Sequence, residues 1–204
     1  MTVSPKRSLL NILFINFSFI LSKWFYDSFL ATYTHYISSC GMTFALALNA
    51  IITILLTYFT FILFHLAYTR QITSKTLMVS YFLYGLLLLY VLFFKNIGVQ
   101  GYSLNPLSFI GEIKSGSRFV PVMNLLMFIP LGCLFVPSKE NLFLSFLVLL
   151  LVESCQYVFH LGVFDLGDIT LNLASILIGS LLHHFFFEKW LRKHLVTDTN
   201  HFLM

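Results

Sequence analysis

The chain has 204 residues, of which 58% are hydrophobic and only 10% charged, with a formal net charge of +4. An ordinary soluble domain is about half apolar and about a quarter charged, so a soluble fold of this length would lack the polar side chains to cover its own surface. The basic residues are scattered rather than run together, which excludes a nucleic-acid-binding patch, and the mean hydropathy of +0.88 points to a bilayer as solvent.

A membrane-crossing helix needs about 20 mostly apolar residues. The first apolar run, residues 9–21, is uncharged until Lys23 interrupts it, and Trp24, Phe25 and Tyr26 follow. With Lys6 and Arg7 ahead of it, three readings stay open: a short span, an interfacial helix or an uncleaved signal anchor. Residues 42–68 contain no acid or base apart from His65, and residues 76–94 are bracketed by Lys75 and Lys95. Residues 119–136 follow Arg118 and precede Lys139, residues 142–160 carry Glu153, and residues 169–187 end before Glu188, Lys189 and Trp190. The predicted fold is all-α, a polytopic transmembrane helical bundle of five to six spans. It divides into an N-terminal hydrophobic segment at 1–40, a bundle at 41–190 and a cytoplasmic tail at 191–204.

Charge decides between five spans and six. If the first run spans, one side of the membrane holds Lys6, Arg7, Arg70, Lys75, Lys139, Lys189, Arg192 and Lys193, and the other only Lys23, Lys95, Lys114 and Arg118. If it does not, the bases divide evenly. The excess of cytoplasmic cations in membrane proteins favours the asymmetric arrangement: six spans, both termini cytoplasmic, in the plasma membrane.

The connection 95–118 is too polar to sit in lipid. Asn105 followed by Pro106 marks a turn or a helix start, and Leu107, Phe109 and Ile110 beyond it suggest a segment that lies on the membrane surface or folds back onto the bundle. Ionisable groups inside a span are costly and face the bundle interior or water. Glu153 is such a group, and Gln156 and His160, at +3 and +7, are predicted on the same helical face. In the connection 161–168, Asp168 is predicted to cap the next helix and Asp165 to be a solvated loop charge; Asn172 follows four residues after Asp168. Asn124 lies inside the run 119–136, with Arg118 at its threshold. Counting spans alone puts Asn105, Arg118, Asn124, Glu153, Gln156, His160, Asp165, Asp168 and Asn172 toward one face of the membrane, the outer one under the charge argument.

Each of these residues has a structural and a functional reading. Glu153 with Gln156 forms either a wet outer pocket or an interhelical hydrogen bond that fixes packing. Arg118 is an interfacial anchor or a clamp for a lipid phosphate or carboxylate. His160 with Glu153, Asp165 and Asp168 matches no metal-ligand spacing, so neither metal nor cofactor is expected. Cys40, Cys133 and Cys155 form no C-x-x-C and read as packing residues. Pro121, Pro130 and Pro137, with Gly132, predict a kink, and Ser175 and Gly179 predict a close-packing seam. No nucleophile elbow, zinc-protease helix or phosphate-binding glycine loop is present.

Four short motifs taken together resemble the VanZ-like family of bacterial membrane proteins: Asn105, Pro106 and Leu107; NLLMFIPLG from Asn124 to Gly132; Glu153 and Gln156 in ESCQ; and Asp165, Asp168 and Asn172 in FDLGDITLN. The resemblance covers about residues 70–187. The arginine that the family often carries shortly before its D-x-x-D segment has no counterpart among His160, Leu161, Gly162 and Val163, and the glycine it favours soon after the asparagine is replaced by Leu173, Ala174 and Ser175. The resemblance implies a cell-envelope protein. The named member of the family is associated with resistance to the glycopeptide antibiotic teicoplanin, which acts on cell-wall precursor at the outer surface. The expected function is binding of a lipid-linked or amphiphilic ligand at the outer leaflet, with Glu153, Asp168 and Arg118 contacting headgroup atoms and Gln156, Asn124 and Asn172 orienting them. Two alternatives stay open: a membrane enzyme with Glu153 as general acid/base and Asp168 as its partner, and a small transporter or scaffold subunit.

Overall fold

The computed structural model describes residues 5–31, 42–93 and 100–196; Cys40, Phe94 and Lys95 lie outside them. Helix α1 (Pro5–Phe25) runs on through a π-helical turn at Tyr26–Leu30, followed by α2 (Met42–Thr69), strand β1 (Ile72–Thr73), α3 (Ser74–Phe93), β2 (Gly101–Ser103) and α4 (Ser108–Lys114). Then come α5 (Phe119–Met127), α6 (Ile129–Gly132), α7 (Lys139–Val158), β3 (Val163–Asp165) and α8 (Leu166–Leu182). A second π-helical turn (His183–Phe187), α9 (Glu188–His194) and β4 (Leu195–Val196) end the described chain.

Five stretches are long and apolar enough to cross a membrane: Leu9–Leu30, Met42–Thr69, Ser74–Phe93, Lys139–Val158 and Leu166–His194. Their outward faces carry large apolar side chains, among them Leu46, Ile54, Phe82 and Leu151. In water such a surface would aggregate; against lipid tails it is the solvent-matched face of helices whose backbone groups are satisfied internally. The chain is an integral membrane protein with an all-helical bundle architecture.

Two apolar runs take forms that the sequence left open. The apolar run 119–136 is not one unbroken helix. Pro130 has no N–H to donate to the preceding turn, the helix breaks at Phe128 (φ −93°, ψ 0°), and the pieces from Phe119 to Gly132 cover about 21 Å at 1.5 Å per residue, leaving the irregular residues 133–138 to carry the chain on to α7. The first run, by contrast, does not stop at Lys23. Lys23 Nζ lies 2.5 Å from Asp27 Oδ1 one turn on, so the helix carries a neutralised pair through the interruption and gains the length to cross.

The structure comprises two compact units, Met1–Val91 with His194–Met204, and Leu92–Lys193. In the first, α1 packs on α2 through small residues that let the backbones approach. Ser18 and Ser22 are buried, Ser22 Oγ lies 3.1 Å from Thr60 Oγ1, and the Tyr26 hydroxyl donates to Asn49 Oδ1. The rings of Phe14 and Phe17 pack on Phe64, and β1 and β4 form a short parallel pair.

The second unit is organised around α8, the helix with the largest share of buried residues. A Cβ on Gly132 would overlap the Ile176 carbonyl, and a Cβ on Gly179 would overlap the Ile129 carbonyl and Gly132 Cα. The α6 and α8 backbones therefore cross in contact, and Cys133 Sγ donates to the Gly179 carbonyl at 3.3 Å. Ser175, one turn before Gly179, is fully buried at the same seam.

Because the overlapping atoms are backbone, they cannot swing aside. Gly179→Ala and Gly132→Ala should each destabilise the protein by about 1–3 kcal/mol. Gly85→Ala, where nothing lies within 4 Å of the added methyl, should be neutral or slightly stabilising. Thermal unfolding in detergent checks the contrast.

Candidate functional site

The site is built where two connections meet. The strand β2 runs parallel to β3 with Tyr102 opposite Phe164 and Ser103 opposite Asp165, which brings the 101–108 segment onto the turn between α7 and α8. Of the two placements anticipated for this connection, on the membrane surface or back onto the bundle, its Ser108 end takes the second.

Asp165 is the hub. It adopts extended backbone geometry (φ −127°, ψ 117°) just ahead of α8, and its side chain caps the helix. Asp165 Oδ1 accepts the Gly167 N–H at 2.7 Å and the Ser108 hydroxyl at 2.7 Å, while its own N–H points at Glu153 Oε2 at 3.5 Å. This reverses the roles expected of the two aspartates. Asp165 is a buried capping residue and not a solvated loop charge; Asp168 is not the cap but lies in the first turn of α8. There its negative charge faces the positive end of the helix dipole. The reversal follows from α8 starting earlier than Asp168, at Leu166.

Glu153 is 3% exposed, one of the few acids in an otherwise apolar helix. Gln156, one turn further along α7, donates to the Leu92 carbonyl at 2.9 Å. His160 does not continue that face: α7 ends at Val158, His160 takes a left-handed conformation (φ 58°), and its Nδ1 lies 3.1 Å from the Val158 carbonyl.

The remaining residues divide. Asn105 is exposed, and its Oδ1 accepts the Leu107 N–H at 3.0 Å, a local turn that starts α4. Arg118 is exposed at the start of α5, without a side-chain cap bond. Asn124 on α5 and Asn172 on α8 are 8% and 3% exposed, and these two helices pack together. Among the described residues, Asn124 Nδ2 and Asn172 Oδ1 are buried atoms with no hydrogen-bond partner, as is Ser175 Oγ. The structure thus gathers Glu153, Asp165 and Asp168 around the head of α8, with Asn124 and Asn172 in the adjoining α5–α8 pair; Asn105 and Arg118 stand outside this buried set.

Two residues escaped the sequence reading. Ser108, three positions after Asn105, supplies the hydroxyl that ties the loop to Asp165. Gly167 is required for space: its φ is not left-handed, but a Cβ there would overlap Ser108 Oγ. The signal lay in the glycine between the two aspartates of DLGD, a poor helix former in a first turn.

Asp165→Ala removes a cap and leaves the half-buried Ser108 hydroxyl unpaired, which should cost about 2–4 kcal/mol. Gly167→Ala should destabilise by about 1–3 kcal/mol, and adding Ser108→Gly should restore most of that loss. A double-mutant cycle by thermal unfolding tests this coupling; additive effects would contradict it.

The model of the VanZ/LLP1 family matches residues 50–187, beginning ahead of the four motifs and ending where their resemblance ends. No curated protein and no solved structure matches the chain. The match takes in both arms of the break at Phe128, the buried Glu153 and the whole of α8, and on it the chain belongs to the VanZ/LLP1 family.

Proposed function

We propose that this protein resides in a bacterial plasma membrane and binds the polar headgroup of a lipid-linked or amphiphilic molecule at the outer leaflet, through the head of α8. The observation that carries the reading is the pair of unpartnered amide atoms, Asn124 Nδ2 and Asn172 Oδ1. A buried polar atom without a partner costs on the order of 1–3 kcal/mol. A headgroup that accepts from the first and donates to the second, as a peptide amide or a sugar hydroxyl does, removes both costs. Glu153 and Asp168 add acceptor oxygens for such donors, and Arg118, exposed at the start of α5, is placed to meet a phosphate or carboxylate outside the buried set. Cell-wall precursor, phospholipid and glycopeptide antibiotic all present this chemistry on an apolar anchor. The opposite end of the long helix carries Lys189, Arg192 and Lys193, which supports a cytoplasmic placement of that end and of both termini.

Purified protein in lipid nanodiscs should unfold at a higher temperature with lipid-linked cell-wall precursor or teicoplanin, by about 2.7 kcal/mol at a hundredfold excess over Kd. Asn172→Leu should leave ligand-free stability unchanged or raised, because an unpaired polar atom is removed, and should weaken ligand-induced stabilisation at least about tenfold in affinity. No shift with either ligand, or equal shifts in Asn172→Leu and the unaltered protein, would overturn the proposal.

A further inference from the structure

We infer that the far end of the α8–α9 helix is a docking surface for anionic phospholipid headgroups. The helical stretch Leu166–His194 has 29 residues, about 43 Å at 1.5 Å per residue. The hydrocarbon core takes up only about 30 Å of this, and the headgroup layers extend the bilayer to about 40–45 Å. Counted from Leu166, the hydrocarbon is used up near Phe185, and Phe185, Phe186 and Phe187 are all exposed, as lipid-facing rings are. The next turns therefore lie at headgroup depth, and the basic residues fall there.

Lys189 is followed by Arg192 and Lys193 at +3 and +4, a spacing that places all three on one helical face. The only acid in α9, Glu188, is engaged by Arg192 Nη2 at 2.6 Å. The face keeps an excess of positive charge, and Lys189 and Lys193, one turn apart, repel each other. Lipid phosphates bearing net negative headgroups relieve that repulsion, in the layer where the helix length puts the cations. This inference rests on the membrane assignment and on α9 alone; it does not depend on a ligand at the head of α8.

The test compares full-length protein in nanodiscs of phosphatidylcholine alone and of phosphatidylcholine with phosphatidylglycerol, with native mass spectrometry reading which lipids stay bound after release. Phosphatidylglycerol should be retained preferentially, and the preference should fall about fivefold for each cation removed in the series ending at Lys189→Gln, Arg192→Gln, Lys193→Gln. Lys189→Arg with Lys193→Arg should preserve it. If the triple variant does not fold, salt titration of the unaltered protein replaces it: the preference should decline as the Debye length contracts below about 10 Å, and a salt-insensitive preference would overturn the inference. Equal retention of the two lipids would also overturn it, as would stabilisation by inorganic phosphate in phosphatidylcholine discs matching that from phosphatidylglycerol.

Discussion

The second unit depends on one carboxylate. Asp165 Oδ1 holds two donors, the Gly167 N–H that starts α8 and the Ser108 hydroxyl that anchors the preceding loop. Asp165 is buried, so the loss of these bonds would leave unpaired groups and not merely weaker ones. Glu153 is held beside the same hub by the Asp165 N–H. A cap, a loop anchor and the placement of a costly buried acid thus share one residue, and the geometry at the head of α8 is set before any question of ligand arises.

The other end of the unit follows a different rule. Lipid offers no hydrophobic drive for helices to associate, so contact there comes from small residues and close backbones. Gly132 and Gly179 meet at the α6–α8 crossing, and the break at Phe128 aims the short α6 at that crossing. The broken helix is thereby held inside the unit, and it brings Asn124 with it into the α5–α8 pair. The unpartnered amide atoms are a consequence of this arrangement: the glycine seam fixes the helix separation, and the asparagines are left with polar atoms that no side chain among the described residues satisfies.

Much of this was legible in the sequence, because hydropathy over twenty-residue windows reads the bilayer directly. Composition alone excluded a soluble fold, and counting spans gathered Glu153, Asp165, Asp168, Asn124 and Asn172 at one end. Ser175 and Gly179 announced the seam by spacing. What was not legible required contacts distant in the chain. Asp168 and Asp165 are equally good caps by composition, and only the Ser108 partner, 57 positions away, shows which one does the work. Pro130 announced a kink, but where the helix breaks and how it resumes depends on its packing against α8. His160 matched a helical face by spacing, yet the helix ended first.

The account stands most directly on the pairing of the 101–103 segment with the 163–165 segment, since that pairing brings Ser108 to Asp165. In a background with Cys40, Cys133 and Cys155 replaced by serine, Tyr102→Cys and Phe164→Cys place thiols on directly opposed residues of the parallel pair, about 4.8 Å apart between strands and within reach of a disulfide. Mild oxidation in membranes should cross-link most of the protein within the monomer, seen as a mobility shift reversed by reductant. A double variant that stays folded and yields no intramolecular cross-link would contradict the account.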